Sequence, residues 1–375
     1  MKKIFIALTI ILPISFSFSA DLIDAYKKGE IKVIPDPEFG TNTSWDILFR
    51  DVDQRFAFLP DGSFFRSASA NNKIYKFDEQ GNLLLEFGQY GQGPGDLNSP
   101  GELSILDEKY LVVGEYALSR RISIFDFDGK FVKLLKINYH ANSCISLKNN
   151  KIAIVATGFG PGDRKVTSSR VDNVFIKNIC TGKEINVASF TQEMMRSKLT
   201  APHFYGRVYI SKIDSDKLLV AFTGNPEINI YSLNGEKLFS FKLNLERKEV
   251  KKSDIDHLLD KTIENERTKQ GKEFMRQFIK RNRDKMSFPK SFPYYYKVAV
   301  DSEDNILVFL NTWIDDSAVT FQVYSKDGQY VCTTKVNSGN FEDIYPTIFY
   351  KNYIYSRLRR KGNDDFAFLG KIKIK

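Results

Sequence analysis

Residues 88–135, GQYGQGPGDLNSPGELSILDEKYLVVGEYALSRRISIFDFDGKFVKLL, contain two β-hairpins in succession. In the first hairpin, LSILDEKYLVV (103–113), apolar and polar residues alternate on either side of a short polar turn. The second hairpin, ISIFDFDGKFVKLL (122–135), turns at Gly129. A period of two is typical of strands with one buried face, and glycine supplies the positive φ that such turns need. The segment therefore predicts four antiparallel strands.

The same unit recurs along the chain. Further hairpins with a Gly-containing turn are IYKFDEQGNLLLEF (74–87), VFIKNICTGKEINVASF (174–190), INIYSLNGEKLFSF (228–241) and FQVYSKDGQYVCTT (321–334), and their turn glycines are Gly81, Gly182, Gly235 and Gly328. Each of these follows a hairpin with a polar turn: RFAFLPDGSFFR (55–66), ISLKNNKIAIVA (145–156), ISKIDSDKLLVAF (210–222) and VAVDSEDNILVFL (298–310). Four strands per unit of about fifty residues are typical of propeller blades.

The end of the chain predicts how the ring closes. A sixth unit, IFYKNYIYSR (348–357) followed by FAFLGKIKIK (366–375), ends one strand short, and EIKVI (30–34) is a spare strand near the N-terminus. We expect this strand to complete the last blade, which would protect the sheet edges and join the circle. The sequence thus predicts an all-β fold, a six-bladed β-propeller with N- and C-terminal strand closure.

Residues 88–135 resemble an NHL repeat of the six-bladed, TolB-like propeller superfamily, and the chain looks like an exported bacterial member of it. The similarity is strong across this unit, fair over blades one, four and five, and weak in blades three and six. The resemblance implies the fold. It implies no single activity, because the superfamily includes lactonases, lyases, receptors and interaction scaffolds.

The first 20 residues predict a secretory signal peptide. Two lysines precede an apolar run from Ile4 to Ile14, and small residues follow up to Ala20. This is the arrangement of a leader that is cleaved on export. We therefore expect a propeller over residues 21–375, periplasmic or secreted, monomeric and without a membrane span. A composition of 42% hydrophobic residues with a net charge of +9 excludes a disordered or fibrous chain.

A long insertion separates the fourth and fifth units. Residues 246–290 predict a helical hairpin, because their apolar residues fall in two helical stripes, which are Ile255, Leu258, Leu259 and Ile263, then Phe274, Phe278 and Ile279. The insertion holds 14 Lys and Arg against nine Asp and Glu, so it carries most of the mature chain's excess charge. One interpretation is that the insertion acts as a lid or as an arm that binds a partner. The alternative is that it only packs over a blade edge and has no binding role. Its charge favours an acidic partner or surface.

The connections fall into two sets, and the longer set predicts the binding face. Turns within each hairpin are short, whereas connections between the two hairpins of a unit, and between units, are long. Long loops on a rigid scaffold usually carry binding. On this long-loop face we select as ligand-binding candidates Arg66, Tyr90, Glu115, Arg120, Arg164, His203, Tyr205, Tyr295, Trp313, Asp315 and Arg357. Clustered guanidinium groups would suit carboxylate or phosphate recognition, and dispersed solvated charges remain the alternative.

The sequence contains no catalytic motif that we can assign. The three histidines lack HxH or HExxH spacing, and GQGPG (91–95) and GFGPG (158–162) lack the Lys-Ser/Thr of a phosphate loop. We expect a non-enzymatic binding propeller without cofactor, which recognises a protein, peptide or glycan ligand, acidic or neutral, and no nucleic acid. The alternative is a Ca²⁺- or Zn²⁺-dependent hydrolase or lyase of the lactonase-like type, with oxygen ligands drawn from Glu115, Asp163, Asn225, Asp315 and Asp316.

Overall fold

Antiparallel β-strands make up most of the regular structure in the computed structural model. The structure describes residues 22–32, 34–36, 38–39, 55–115, 120–158, 169–193, 204–264, 266, 268–286, 288–311, 318–337, 345–351, 353–358 and 368–373. The predicted signal peptide, residues 1–20, lies outside the described residues. None of the described helices is long and apolar enough to cross a membrane.

Three short elements begin the described chain. Helix α1 (Leu22–Lys27) is followed by strands β1 (Glu30–Lys32) and β2 (Ile34–Pro35). Leu22, Tyr26 and Ile31 are fully buried in one cluster with residues of later strands. The hydroxyl of Tyr26 donates to Asp301 Oδ2 at 3.0 Å. These contacts fix the N-terminal segment to the second half of the chain.

Five blades are each built from four consecutive strands that pair in chain order. Blade one comprises β3 (Phe56–Phe58), β4 (Phe64–Ala68), β5 (Lys73–Phe77) and β6 (Leu83–Phe87). Blade two comprises β7 (Pro100–Leu106), β8 (Tyr110–Glu115), β9 (Arg121–Asp126) and β10 (Phe131–Lys136). Blade three comprises β11 (His140–Leu147), β12 (Lys151–Gly158), β13 (Ser169–Asn178) and β14 (Glu184–Glu193). Blade four comprises β15 (Val208–Ile213), β16 (Lys217–Phe222), β17 (Glu227–Ser232) and β18 (Lys237–Lys242), and blade five comprises β19 (Lys297–Val300), β20 (Ile306–Phe309), β21 (Ala318–Tyr324) and β22 (Tyr330–Asn337).

The prediction of six blades is wrong, because five complete blades are present. The remaining sheet, here the closing sheet, has only three consecutive strands, β23 (Tyr345–Tyr350), β24 (Tyr353–Leu358) and β25 (Phe368–Lys373). Its fourth position holds the two-residue strand β2, antiparallel to β25. The closing sheet lies between blades five and one, since β23 contacts β19 and Tyr355 packs with Phe56 and Phe64.

The predicted closing strand, residues 30–34, is divided between two sheets. Strand β1 pairs in parallel with β22 of blade five, with Glu30 opposite Lys335, and only β2 reaches the closing sheet. The physical reason is burial: Ile31 lies in the cluster that α1 forms with Phe321 and Val336 of blade five. The apolar side of this segment is therefore covered by blade five before the chain can complete another blade.

Apolar side chains fill the spaces between neighbouring blades. One cluster joins Val112 and Ile124 of blade two to Ile152 and Ile154 of blade three. Equivalent clusters join blade three to four, four to five, and one to two. The outermost strands are far more exposed, as the pattern along β6 indicates. The first strand of each blade is thus the innermost, which is the propeller arrangement.

The predicted turn glycines are confirmed. Gly129 and Gly328 have φ of +78° and +82°, and the other three turn glycines are also left-handed. A Cβ on Gly129 would lie 2.7 Å from Phe87 Cδ1, and one on Gly328 would lie 2.5 Å from Phe241 Cδ1. These turns therefore need glycine for backbone conformation and also for packing against the preceding blade.

The helical insertion predicted between the fourth and fifth blades is present. It contains α2 (Lys252–Glu264), α3 (Lys269–Asn282) and a 3₁₀ turn, Arg283–Lys285. At its base, residues 248–250 pair with residues 290–292 through an isolated antiparallel bridge between Glu249 and Ser291. We call residues 251–289 the arm.

Candidate functional site

Polar side chains from four blades meet where the inner strands begin. Because successive strands are antiparallel, this end of the propeller also carries the long connections, and we call it the channel mouth. Arg55 immediately precedes β3, Glu102 lies near the start of β7, and Tyr209 and Lys297 lie at the starts of β15 and β19. We name these four residues and Tyr295 the channel cluster. The repeat of the blades brings these distant sequence positions to one place.

An ion pair forms the centre of the channel cluster. Arg55 Nε donates to Glu102 Oε1 at 2.8 Å, although 46 residues separate the two in sequence. Both side chains are partly exposed, at 35% and 22%. The pair links blades one and two and leaves polar surface at the mouth.

Lys297 lies close enough to this pair for its pKa to respond to both charges. The pKa of the ammonium group is lowered to about 8, mainly by burial and also by the positive charge of Arg55, while Glu102 opposes the shift. The ammonium group is also 6.0 Å from the centre of the Phe309 ring. A cation held where protonation is penalised would gain from an added negative charge.

Two tyrosines adjoin the lysine. Tyr209 donates its hydroxyl to the backbone carbonyl of Tyr296 at 3.2 Å, and burial raises its pKa while the Arg207 and Arg55 guanidinium groups oppose that rise. Tyr295 is fully buried, and its hydroxyl has no hydrogen-bond partner among the described residues. Burial, then the neighbouring Tyr209, raises the pKa of Tyr295. A buried hydroxyl of this kind can donate to a bound ligand or water.

Backbone hydrogen bonds position the segment that carries Tyr295 and Lys297. The amide of Tyr294 donates to Thr223 O at 2.9 Å, and that of Tyr296 donates to Phe309 O at 2.8 Å. Asn311 donates its side-chain amide to Pro293 O at 2.6 Å. The chain returning from the arm is thereby attached to blades four and five directly beside the channel cluster.

Glu115, a predicted ligand-binding residue, is committed to an internal network. Its carboxylate is buried and accepts from Arg121 Nε, Ser123 Oγ and the amide of Asn98, at 2.7, 2.7 and 2.8 Å respectively. Arg121 also donates to the carbonyls of Gly91 and Asp96. The network holds the connection between blades one and two in place.

A second buried carboxylate stabilises the channel mouth in blade three. Asp172 is 1% exposed and accepts from Thr157 Oγ1 at 2.6 Å, Arg170 Nε at 2.9 Å and Gln192 Nε2 at 3.0 Å. Asn142 of the inner strand donates to Thr157 as well. Because burying a carboxylate without such partners is costly, this set ties β11 to the three outer strands of its blade.

The other sequence-predicted residues that the structure describes are dispersed. Arg66 is buried and lies 6.0 Å from the ring of Tyr75, Tyr90 is 73% exposed, and Arg120 is exposed with a φ of +48°. Tyr205 is half-buried, and the backbone of Arg357 pairs with Tyr345 and Leu369 in the closing sheet. Outside the described residues lie Arg164, His203, Trp313 and Asp315. Of the eleven candidates, the structure brings Tyr295 into the channel cluster.

Sequence reasoning missed Arg55, Glu102, Tyr209 and Lys297. The sequence contains one signal that could have identified three of them, which is their position in the repeat. In RFAF, ELSI and KVAV, a charged residue directly precedes an alternating apolar run at the same place in its unit. Such residues at the start of an inner strand face the centre of a ring, since the inner strands surround the propeller axis.

Two further kinds of site, a metal centre and a surface cavity, can be compared with the channel cluster in the described part of the chain. No group of three or more His, Cys, Asp or Glu side chains is close enough there to hold a metal ion, and Asp163, Asp315 and Asp316 lie outside it. A shallow cavity of about 300 Å³ lies at the opposite end of blade one, beside Asp61, Lys76 and Asp78. Its aspartates accept hydrogen bonds within their own turns.

Comparison with known proteins identifies the fold. No family model and no curated protein matches the sequence. A DUF4221 family member from Bacteroides vulgatus has a similar structure, with a TM-score of 0.56, 12% identity, and coverage of 92% of this chain and 99% of that one. A candidate exported protein of Bacteroides fragilis gives a TM-score of 0.54 at 12% identity, with coverage of 92% and 99%. At this identity the similarity is one of architecture, and it agrees with the sheet order in assigning the chain to the β-propellers.

Proposed function

We propose that this protein is an exported, non-enzymatic binding propeller that recognises a carboxylate-bearing peptide or glycan at the channel mouth. The observation that carries the proposal is the meeting of Arg55, Glu102, Tyr209 and Lys297 from four blades. A site shared among blades on a rigid ring is preorganised, which lowers the entropic cost of binding.

The charges at the mouth favour an anion. Among the described residues, the charges that act on Tyr209 and Lys297 include the cations Arg55 and Arg207 and the carboxylate of Glu102. Lys297 itself adds a third cationic group. A ligand carboxylate beside Lys297 would replace lost hydration and raise the pKa of its ammonium group. The hydroxyl of Tyr295 supplies a further donor.

The nature of the acidic groups supports binding rather than catalysis. Glu102 is paired with Arg55, and Glu115 and Asp172 each accept three hydrogen bonds from their own surroundings. These carboxylate oxygens are therefore already engaged by donors of the protein itself. Export is supported by the leader-like residues 1–20, and one protein of similar fold is itself a candidate exported protein.

The test is ligand-induced stabilisation of the mature chain, residues 21–375. Its thermal midpoint is measured with tri-glutamate and tri-galacturonate, and with the neutral tri-glutamine and tri-galactose. A ligand that binds only the folded state raises the midpoint with concentration. We expect a rise with one acidic probe and none with its neutral counterpart.

Substitutions locate the effect. Lys297→Gln should weaken binding of that probe by about tenfold or more, because a charge-assisted hydrogen bond is removed. Lys130→Gln, on an exposed turn at the opposite end, is the matched control and should bind normally. Equal binding of acidic and neutral probes, or full binding by Lys297→Gln, would refute the proposal.

A further inference from the structure

Helix α3 presents an exposed aromatic pair. Phe274 is 64% exposed, and its ring stacks on that of Phe278 with the centroids 6.2 Å apart. Phe278 is itself partly exposed. Two adjacent phenylalanines in water on one helix are unfavourable unless something covers them.

The same helix is strongly basic. Residues 269–285 contain seven Lys and Arg against two acids, and Glu273 is the only acid within the helix itself. Glu273 lies 3.6 Å from Arg276 and accepts from Gln277, so it neutralises little of the remaining charge. The basic residues spread along a helix of about 20 Å, given the usual rise per residue.

The arm holds this helix rigidly. Leu258 and Leu259 of α2 and Ile279 of α3 are buried, and Leu258 packs with Phe204 and Phe292 of the propeller. Arg283, in the 3₁₀ turn that follows α3, pairs with Asp256 of α2, and Thr268 caps α3 by accepting from the amide of Gly271. The buried stripe therefore faces the propeller side, and the aromatic pair stays exposed without any unfolding of the arm.

We propose that α3 docks on an anionic membrane surface, with Phe274 and Phe278 entering the headgroup region and its lysines and arginines pairing with lipid phosphates. A basic polar face beside exposed aromatics is the pattern of an interfacial helix. The aromatic pair is exposed and the basic residues are spread along the whole helix, which suits a broad anionic surface better than a protein partner that inserts one side chain. This docking is independent of the channel cluster.

Vesicle sedimentation of residues 21–375 tests the proposal. We expect binding to vesicles of equal phosphatidylcholine and phosphatidylglycerol, little binding to pure phosphatidylcholine, and loss on raising NaCl from about 50 to about 500 mM. Phe274→Ser with Phe278→Ser, and separately Lys269→Gln with Lys272→Gln and Lys280→Gln, should each weaken binding by about tenfold or more.

The controls separate this docking from general charge and from the channel. Replacing three exposed lysines elsewhere, Lys130, Lys183 and Lys242, by Gln changes the net charge equally and should leave binding unaltered. Lys297→Gln should also bind vesicles normally, whatever its effect on acidic probes. The proposal is overturned if the control triple variant loses binding as much as the arm variants do. It is also overturned if the protein does not sediment with the anionic vesicles but binds poly-glutamate through α3. That result would assign the helix to an acidic protein partner.

Discussion

Lys297 illustrates how one side chain acquires its properties from distant parts of the sequence. Its ammonium group is surrounded by protein and lies near Arg55, which precedes it by 242 residues. Glu102, whose negative charge acts on Lys297, is also paired with Arg55. Glu102 therefore opposes the desolvation penalty of this cation, and a bound carboxylate would oppose it further.

This penalty predicts a pH effect on stability. The pKa of Lys297 is about 8 in the folded chain against an ordinary value of 10.5, so the unfolded chain binds more protons between these values. The unfolding free energy of the wild type should thus rise, relative to Lys297→Met, between pH 8 and pH 10.5, by up to about 3 kcal/mol. Denaturant titrations of both proteins across this range measure the difference. A constant difference would show that the lysine is not desolvated.

Glu102 and Glu115 show which part of a site can be predicted from the sequence. Both are acids of blade two at the channel mouth, and sequence reasoning selected Glu115. The structure buries Glu115 against Arg121, six residues away, and pairs Glu102 with Arg55 of another blade. Alternation predicts that a residue lies on a strand, but its partner across a blade boundary depends on tertiary packing.

At the scale of elements, the arm is an addition to the ring. Strand positions, turn glycines and the helical character of the insertion were predicted from period and composition, since each is a local property. The division of residues 30–34 was not, because it depends on how α1 covers Phe321 and Val336. The arm's apolar contacts form a small separate cluster with Phe204 and Phe292.

This separation predicts that the arm can be replaced. Residues 251–289 can be exchanged for a short Gly-Ser linker, because residues 250 and 290 are already joined by a backbone hydrogen bond of 3.0 Å. We expect a folded propeller with a cooperative thermal transition, which still binds an acidic probe and no longer sediments with anionic vesicles. Circular dichroism and the two binding assays check this. Loss of the cooperative transition would mean that the arm belongs to the propeller core.

At the scale of the whole molecule, closure of the ring depends on the N-terminal segment. Residues 22–36 cover blade five through α1 and β1, and they supply the outer strand β2 of the closing sheet. Leu22, Tyr26 and Ile31 are fully buried, and each such side chain contributes about 1.5–3 kcal/mol. Their sum is comparable with the stability of a whole domain, about 5–15 kcal/mol.

Removing residues 21–36 should therefore open the ring. We expect a large fall in the thermal midpoint, and aggregation in size-exclusion chromatography, because β22 and β25 would be left with unpaired edges. Tyr26→Phe is the matched control: it keeps the ring against Phe321 and loses only the hydrogen bond to Asp301, which still accepts from Asn305. That variant should lose about 1 kcal/mol and elute like the wild type. If the truncated chain also unfolds at the wild-type midpoint, the five blades are self-sufficient and closure serves another purpose.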